Sequence, residues 1–357
     1  MSGEGRGARH PAPAGDGAPT EGGAPAGTGA GAHPSRLRVV LSDPLEPEGM
    51  AVLEGEPRLE LVDVSAAGPD ALRRALGDAA GLVVRGATSV DEALLGRAPE
   101  LRVVGRAGVG VDNVDLEACA RRGIAVFNAP SGNTRSTAEL TFGLLLAAAR
   151  RIPEVDRSVR EGRWERRSLR GVQLAGRRLG VVGVGRIGSA VAALGRAFGM
   201  DVLGDDPYLA DERVAELERD VGVEMTDLDG VLGRADFVTL HVPLTDETRG
   251  MIGEAELGRM KPGSFLVNAS RGGVVDEAAL AEALRDGRLA GAALDVYGEE
   301  PPPSGSPLRG APNLVLSAHL GGATPEARRA VAVEVATAVR DALVEGDLEA
   351  AVNAALL

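Results

Sequence analysis

The sequence has 357 residues, about the length of two domains when a domain averages roughly 150 residues. Its 44% hydrophobic and 25% charged residues are ordinary for a globular protein. Its longest apolar run, residues 142–149, is far shorter than the roughly 18 residues that cross a bilayer, so we expect no membrane insertion. The net charge of −13 provides no basic field for a phosphate backbone, and one Trp, two Tyr and five Phe residues offer few rings for stacking, so we expect no nucleic-acid partner.

Scarce residue types exclude further classes of chemistry. The single cysteine, Cys119, rules out an intramolecular disulfide and any cysteine-built metal centre, and it suits a reducing cytoplasm. The single lysine, Lys261, argues against Schiff-base chemistry, and the sequence has no P-loop lysine motif. Two of the four histidines lie in the N-terminal tail, so acid–base catalysis by histidine has two candidates, His241 and His319.

The first 36 residues differ in composition from the rest of the chain. Gly, Ala and Pro make up 23 of these 36 positions. Because such residues cannot form a buried core, we predict that residues 1–36 are disordered. They contain no apolar stretch of the kind found in a secretory signal peptide.

From residue 37 onward, short apolar runs alternate with helical patterns. The first five runs are residues 39–41, 59–64, 81–84, 101–104 and 124–127. Helical stretches such as 70–79 and 91–96 lie between most of them, and this alternation predicts a parallel sheet with crossover helices. We therefore predict a first domain with five strands, followed by a connecting helix at residues 137–151.

A second alternating series begins at residue 179. Its six apolar runs are residues 179–182, 201–203, 236–241, 264–268, 292–295 and 314–317. Six strands are the count of a doubly wound nucleotide-binding domain. A last helix is predicted from Pro325, with Thr324 as its N-cap, to Gly346. Because it follows the sixth strand, this helix can pack back on the first domain, so the chain would cross the cleft between the domains twice.

A dinucleotide-binding fingerprint follows the first strand of the second series. Gly183 permits the tight turn, Gly185 lets the backbone approach a pyrophosphate, and Gly188 allows the helix to pack closely on the strand. Asp206 follows the next strand, where a carboxylate can accept hydrogen bonds from the adenine ribose and repel a 2′-phosphate. This spacing favours NAD over NADP; the alternative is a tight strand–helix turn in a protein with 50 glycines.

Three polar residues follow strand ends of the second series, where open α/β sheets place reactive groups. His319 is the candidate acid–base residue, Glu300 would fix its tautomer if hydrogen-bonded to it, and Arg271 can bind a substrate carboxylate bidentately. The alternatives are ordinary surface charges for Arg271 and Glu300, and a core or capping role for His319. His241 also ends a strand, but no glycines open the space around it, so we interpret it as part of the cofactor-side lining.

A second glycine-rich segment, residues 105–110, has Asn113 at the third glycine position, which favours a loop that lines the cleft. This segment is part of one of seven stretches that carry a resemblance to a known family. They are residues 84–88, 105–115, 128–136, 183–188, 268–273, 293–301 and 318–324. On these motifs the sequence resembles the D-isomer-specific 2-hydroxyacid dehydrogenases, from about residue 37 to the C-terminus.

The resemblance implies an α/β fold with two Rossmann-like domains. A flavodoxin-like substrate-binding domain would comprise residues 37–132 and 320–357, and an inserted doubly wound NAD-binding domain would comprise residues 133–319. The resemblance also implies a homodimer or homotetramer formed through the NAD-binding domains, with Trp164 in a segment that reaches towards the partner subunit. Longer members carry a C-terminal serine-sensing domain, which we do not expect here because the sequence ends soon after the last predicted helix.

The resemblance also assigns roles to single residues, and Arg271, Glu300 and His319 match the family's catalytic arginine, glutamate and histidine. The implied NAD contacts are Gly183, Gly185, Arg186, Ile187, Gly188, Asp206, Val109, Val242, Ala269, Ser270, Asp295, Gly321 and Gly322. Among them, Asp295 would hold the nicotinamide carboxamide. The implied contacts to the substrate's carboxylate or phosphate are Arg85, Gly86, Asn133, Arg135 and Arg271. No metal site is implied.

The activity implied by the resemblance is the NAD-dependent oxidation of D-3-phosphoglycerate to 3-phosphohydroxypyruvate, the first step of serine biosynthesis. A small phosphorylated 2-hydroxy acid is thus the expected partner. Two alternatives stay open. One is an NAD(H)-dependent reductase of another 2-oxo acid, of the hydroxypyruvate, glyoxylate or D-lactate type. The other is a non-catalytic NAD-sensing scaffold of the corepressor type, since a fold alone does not prove chemistry.

Overall fold

The computed structural model describes residues 36–357, in which strands and helices alternate along almost the whole chain. The strands of this part form two sheets, and the pairings between neighbouring strands are parallel. The predicted α/β fold with two Rossmann-like domains is confirmed. The predicted disorder of residues 1–36 concerns residues that, apart from Arg36, lie outside the described part.

The first sheet has five strands, as the sequence predicts. They are β1 (Leu37–Leu41), β2 (Leu59–Asp63), β3 (Ala79–Val84), β4 (Val103–Arg106) and β5 (Ala125–Phe127). Their order, β2-β1-β3-β4-β5, is the flavodoxin-like order. The helices between them are α1 (Pro47–Glu54), α2 (Pro69–Ala75), α3 (Glu92–Leu95) and α4 (Leu116–Arg121). The central strand β3 is buried at every position, because helices cover both faces of a parallel sheet.

The second sheet has seven strands, so the predicted count of six is wrong. They are β6 (Arg178–Val182), β7 (Asp201–Asp205), β8 (Val223–Met225), β9 (Phe237–Leu240), β10 (Phe265–Asn268), β11 (Gly291–Leu294) and β12 (Leu314–Leu316). Their order is β12-β11-β10-β9-β6-β7-β8. The missed strand, β8, lies at the edge of the sheet and buries only one of its three residues, Val223, so the sequence contains no apolar run there.

Helices cover this second sheet as well. They are α5 (Thr134–Arg150), α6 (Ile152–Arg160), α7 (Arg186–Ala197), α8 (Asp211–Glu216), α9 (Leu228–Arg234), α10 (Glu254–Arg259) and α11 (Glu277–Arg285). The predicted connecting helix is α5, whose buried Phe142 and Leu145 share a core with Leu179 of β6. Helix α6 was not predicted, because its polar composition hides a short apolar stripe.

The last helix, α12 (Pro325–Glu345), returns the chain to the first sheet. Its predicted N-cap is confirmed, since Thr324 Oγ1 accepts a hydrogen bond from Ala327 N at 3.2 Å. Val335 and Val339 pack into the core of the first sheet. None of the helices within residues 36–357 is both long enough and apolar enough to cross a membrane.

The C-terminal segment covers the edge of the first sheet at β5. Val352 N donates to Val126 O at 2.7 Å. The buried side chain of Asn353 continues this pairing, because its Oδ1 accepts from Val126 N and its Nδ2 donates to Ile124 O, both at 2.9 Å. An amide side chain thus satisfies backbone groups that an edge strand would otherwise leave unpaired.

Replacing Asn353 with alanine is expected to lower the free energy of unfolding by about 1–3 kcal/mol, since two buried backbone groups lose their partners. Unfolding in urea, followed by circular dichroism, measures the change. The matched control is Glu349→Ala in the same segment, where the side chain is exposed and we expect a change within about 0.5 kcal/mol. Equal stability of the two variants would contradict the assignment of Asn353 as the partner of the β5 edge.

Candidate active site

The glycine fingerprint forms a tight turn between β6 and α7. Gly183 has a φ of 85°, and its N donates to Asp205 O at 2.8 Å. A Cβ on Gly188 would overlap the carbonyl oxygen of Gly183, whereas a Cβ on Gly185 would meet no heavy atom of residues 36–357 within 4 Å. The open space at Gly185, in front of the N-terminus of α7, is what a pyrophosphate requires for close approach.

Two glycine substitutions are expected to separate folding from cofactor binding. Gly188→Ala forces the turn apart, so we expect both a loss of stability of about 1–3 kcal/mol and weaker NAD binding. Gly185→Ala is expected to keep the stability and to weaken NAD binding at least about tenfold, because the new methyl group fills the pyrophosphate space. Calorimetric titration with NAD measures binding by the two variants, and unfolding in urea measures their stability.

The control for these variants is Gly233→Ala in α9, where a Cβ also meets no described atom within 4 Å. We expect it to bind NAD like the wild-type protein. If Gly185→Ala also binds NAD as tightly as the wild type, the turn is not the pyrophosphate site.

Asp206 is fixed at the end of β7, next to the fingerprint turn. Its Oδ2 accepts from Val184 N at 3.0 Å, and its Oδ1 accepts from Tyr208 N at 3.2 Å. Burial raises the pKa of the neighbouring Asp205 to about 6, and the charges of Asp206 and Asp227 contribute to this shift. The ribose end of the site is therefore rich in carboxylates, which favours a free 2′-hydroxyl over a 2′-phosphate.

The loop after β10 carries Arg271 and is organised by buried Asn268, which sequence reasoning missed. Asn268 Oδ1 accepts from Ser270 N at 3.0 Å and from Ser270 Oγ at 2.8 Å. Its Nδ2 donates to Arg271 O at 2.9 Å. The Arg271 side chain is held from its own loop too, since Nη1 donates to Ser270 O at 2.7 Å.

Arg271 also forms an ion pair with Asp112, in the loop after β4 of the first sheet. Arg271 Nε donates to Asp112 Oδ2 at 3.1 Å. A Cβ on Gly110 would overlap Nη2 of Arg271, so the glycine leaves room for the guanidinium. Asp112 was not predicted as a site residue, although it lies within residues 105–115, one of the stretches that carry the family resemblance. A carboxylate thus occupies one edge of the guanidinium that is expected to bind the substrate's carboxylate.

His319 and Glu300 form the pair that the sequence anticipates. His319 Nδ1 lies 2.7 Å from Glu300 Oε2, and Glu300 Oε1 accepts from Tyr297 N at 3.1 Å. His319 has a φ of 53°, in the left-handed region, and its N donates to Asp295 O at 2.8 Å. Because Nδ1 faces the glutamate, Nε2 is the ring nitrogen that remains for a ligand.

Asp295 anchors the loop that follows His319. The carboxylate is buried, and its two oxygens accept from Leu320 N and Gly321 N, both at 2.9 Å. Ser136 Oγ donates to Gly321 O at 2.7 Å and ties the same loop to α5. Each oxygen of Asp295 keeps a second lone pair, so a contact to a carboxamide is compatible with this anchoring.

His241 is the other histidine within residues 36–357, and it does not share this environment. Its Nε2 lies 3.0 Å from Thr239 Oγ1, and burial lowers the pKa of His241 to about 3. It therefore stays neutral at physiological pH. Its backbone and Val242 lie against Gly183 at the fingerprint turn, which agrees with the interpretation of a cofactor-side lining.

A cavity of 440 Å³ lies between the loops of the two sheets. Its lining includes the predicted Arg85, Gly86, Val109, Asn133, Arg271, His319 and Gly322. It also includes two arginines that sequence reasoning missed, Arg106 and Arg328. Burial lowers the pKa of Arg106, and the charges of Arg271 and Arg85 lower it further. The cavity therefore combines one imidazole with four guanidinium groups.

One predicted substrate contact does not reach this cavity. The side chain of Arg135 is 85% exposed and pairs with Glu139 at 2.8 Å, so the structure does not bring Arg135 together with the other predicted contacts. Asn133 precedes α5 as its N-cap, whereas Arg135 lies in the first turn of the helix and pairs with Glu139 one turn further along.

A dinucleotide turn at the same sheet edge as an imidazole–carboxylate pair and an arginine is typical of a dehydrogenase that binds a nicotinamide cofactor. Residues 142–321 match the family model described as the D-isomer specific 2-hydroxyacid dehydrogenase, NAD binding domain. The chain belongs to this family, and the predicted resemblance is confirmed. The open space at Gly185 and the carboxylate of Asp206 fit its cofactor, NAD.

Named relatives agree with this membership. The chain is 43% identical to a D-3-phosphoglycerate dehydrogenase from Archaeoglobus fulgidus over 300 residues, which is 84% of this chain and 56% of that protein. It thus spans little more than half the length of this curated relative. Its fold is similar to a glyoxylate reductase from Paecilomyes thermophila (TM-score 0.80, 28% identity, 90% and 99% of the two chains). It is also similar to a D-lactate dehydrogenase from Aquifex aeolicus complexed with NAD and lactic acid (TM-score 0.74, 32% identity, 88% and 97%).

Proposed function

We propose that this chain catalyses the NAD-dependent oxidation of D-3-phosphoglycerate to 3-phosphohydroxypyruvate. The observation that carries the proposal is one cavity lined by four guanidinium groups and by His319, whose ring in turn pairs with Glu300. The name of the curated relatives that align with most of this chain supports it. In this assignment, residues 37–132 and 320–357 form the substrate-binding domain and residues 133–319 form the NAD-binding domain.

Oxidation at carbon 2 requires a base for the proton of its hydroxyl group and a binding site for the neighbouring carboxylate. His319 Nε2 takes the proton of the C2 hydroxyl, and the Glu300 carboxylate stabilises the imidazolium that results. Arg271 binds the substrate's carboxylate and polarises the neighbouring oxygen, replacing its contact to Asp112. The chemistry supplied by bound NAD is the acceptance of a hydride from carbon 2.

The remaining guanidinium groups favour a phosphorylated substrate. D-3-phosphoglycerate carries a phosphate two carbons away from its carboxylate, and Arg271 can neutralise only one of these two groups. Arg85, Arg106 and Arg328 line the same cavity and supply the charge for the second anion.

A second candidate is the reduction of an unphosphorylated 2-oxo acid. One observation favours it: Glu46 Oε1 lies 2.8 Å from Arg328 Nε and 3.6 Å from Arg85 Nη1, so part of the positive charge is already paired. The names of the two structural neighbours, a glyoxylate reductase and a D-lactate dehydrogenase, refer to acids without a phosphate, which is consistent with this alternative.

A substrate panel decides between these functions. Oxidation of D-3-phosphoglycerate by NAD, with hydrazine to trap the product, is compared with oxidation of D-glycerate and D-lactate and with reduction of glyoxylate and hydroxypyruvate. We expect kcat/KM for D-3-phosphoglycerate to exceed that for D-glycerate at least about 100-fold, because the arginines would be left unpaired without the phosphate. Equal values would favour the second candidate, and no turnover of any compound would favour a scaffold.

The proposal includes self-association through the NAD-binding domain. Helix α6 and the loop after it expose Ile152 (51%), Val159 (50%) and Trp164 (80%) around a cavity of 590 Å³. Such an apolar face is typical of a protein–protein interface. Light scattering is expected to give at least the mass of a dimer for the wild type and a lower mass for Trp164→Glu. A monomeric wild type would contradict the proposal.

A further inference from the structure

Two residues outside the assigned site, Asp43 and Asn113, both form hydrogen bonds to the loop of residues 85–88. Asp43 is buried, with 5% exposure, and follows β1. Its Oδ2 accepts from Arg85 N at 2.6 Å and from Thr88 N at 3.3 Å, and its Oδ1 accepts from Thr88 Oγ1 at 3.1 Å. The N–H groups of the first and last residues of the loop are therefore bound by one carboxylate.

Asn113 binds the carbonyl groups of the same loop. Its Nδ2 donates to Arg85 O at 2.8 Å and to Thr88 O at 2.6 Å. Its Oδ1 accepts a long hydrogen bond of 3.4 Å from Arg106 Nε, and this contact orients the guanidinium of Arg106. One amide thus connects the backbone beside Arg85 with the side chain of Arg106, and both arginines line the cavity.

We propose that Asp43 and Asn113 are positioning residues for the end of the cavity that binds the substrate's second, phosphate-bearing group, and that they set the preference for a phosphorylated 2-hydroxy acid. This inference rests on the proposed function. Arginines that face one another repel and lose side-chain entropy when they are ordered, so a cluster of them binds an anion tightly only if the protein fixes them beforehand. Asp43 and Asn113 provide this fixation through backbone and side-chain hydrogen bonds.

The reacting end of the cavity is held by other residues. Arg271 is positioned by Asn268, and His319 is positioned by Glu300 and Asp295. A change at Asp43 or Asn113 is therefore expected to affect the binding of the phosphate group much more than the hydride transfer itself. This separation distinguishes a positioning role from a merely structural one.

The test compares Asn113→Ala and Asp43→Asn with Asn353→Ala, which removes a buried hydrogen-bonding side chain elsewhere in the first domain. We expect Asn113→Ala and Asp43→Asn each to raise KM for D-3-phosphoglycerate at least about tenfold, equivalent to about 1.4 kcal/mol, while kcat stays within about threefold. We expect kcat/KM for D-glycerate to stay unchanged. Asn353→Ala is expected to lower stability and leave KM unchanged. Asp43→Asn, which keeps the size of the side chain, provides the measurement if Asn113→Ala fails to fold.

Equal losses for D-3-phosphoglycerate and D-glycerate, or KM values that match that of Asn353→Ala, would overturn the inference. Calorimetric titration with inorganic phosphate tests it without turnover. The wild type and Asn353→Ala are expected to bind phosphate. Asn113→Ala and Asp43→Asn are expected to bind it at least about tenfold more weakly. A wild type that binds phosphate but does not oxidise D-3-phosphoglycerate would refute the proposed function alone. A wild type that binds no phosphate, or variants that bind it equally well, would refute the positioning role.

Discussion

Replacing His319 with asparagine is expected to lower kcat by about 10²–10⁴-fold, the usual contribution of a general acid–base residue. Asparagine is the suitable replacement, because the φ of 53° at this position is more favourable for asparagine than for most other residues. The fold should be retained, since the histidine side chain is half exposed. Steady-state oxidation of D-3-phosphoglycerate measures kcat, and titration with NAD verifies that the cofactor site is intact.

The control for this variant is Glu300→Gln. Glutamine can still accept a hydrogen bond from Tyr297 N but no longer supplies the negative charge beside the imidazole. We expect a smaller loss of kcat than for His319→Asn, because the base remains while the imidazolium loses its stabilisation. If His319→Asn keeps more than about a tenth of the wild-type kcat, another group must exchange the proton.

Replacing Arg271 with lysine is expected to lower kcat/KM by about 30-fold to several thousand-fold, which corresponds to the roughly 2–5 kcal/mol lost when a hydrogen-bonded charge pair is broken. Lysine keeps the charge, but its single ammonium group cannot bind both oxygens of a carboxylate in one plane. The loss should appear with every 2-hydroxy acid, phosphorylated or not, because each of them carries the carboxylate.

Asp112→Asn is the companion variant, since it removes the carboxylate that faces Arg271 in the structure. If the substrate replaces Asp112, kcat/KM should change by less than about tenfold, because the guanidinium and its loop remain in place. A loss as large as that of Arg271→Lys would mean that Asp112 stays paired with Arg271 during the reaction. Full activity of Arg271→Lys would remove the arginine from the mechanism.

The parts of the fold that the sequence predicted well are those in which burial and periodicity agree. Strands such as β3 are buried on both faces and appear as continuous apolar runs. The edge strand β8 and the helix α6 were missed for the opposite reason. β8 has three residues and buries only Val223, and the apolar stripe of α6 is short and lies among charged residues, so neither forms an apolar run in the sequence.

The sequence predicted those site residues that directly follow the end of a strand. Arg271, Glu300 and His319 follow strand ends, and parallel strands bring these ends together at one edge of a sheet. Arg328 was missed because it lies on α12, more than 200 residues from Arg85 in the sequence, and no local pattern indicates that the two share a cavity.

Asn113 shows a further limit of sequence reasoning. It was noticed only as the residue that interrupts a second glycine-rich motif. Its hydrogen bonds to residues 85 and 88 depend on β3 and β4 being neighbours in the sheet, which the spacing of the motif does not reveal.

Transfer of deuterium from carbon 2 of D-3-phosphoglycerate to the nicotinamide tests the assigned reaction at the atom where it occurs. The wild-type protein is incubated with NAD and substrate deuterated at carbon 2, and the reduced cofactor is analysed by mass spectrometry. We predict one deuterium in each molecule of reduced cofactor formed, and strongly reduced formation with His319→Asn and Arg271→Lys. Reduced cofactor without deuterium, or none at all from the wild type, would contradict hydride transfer from this substrate.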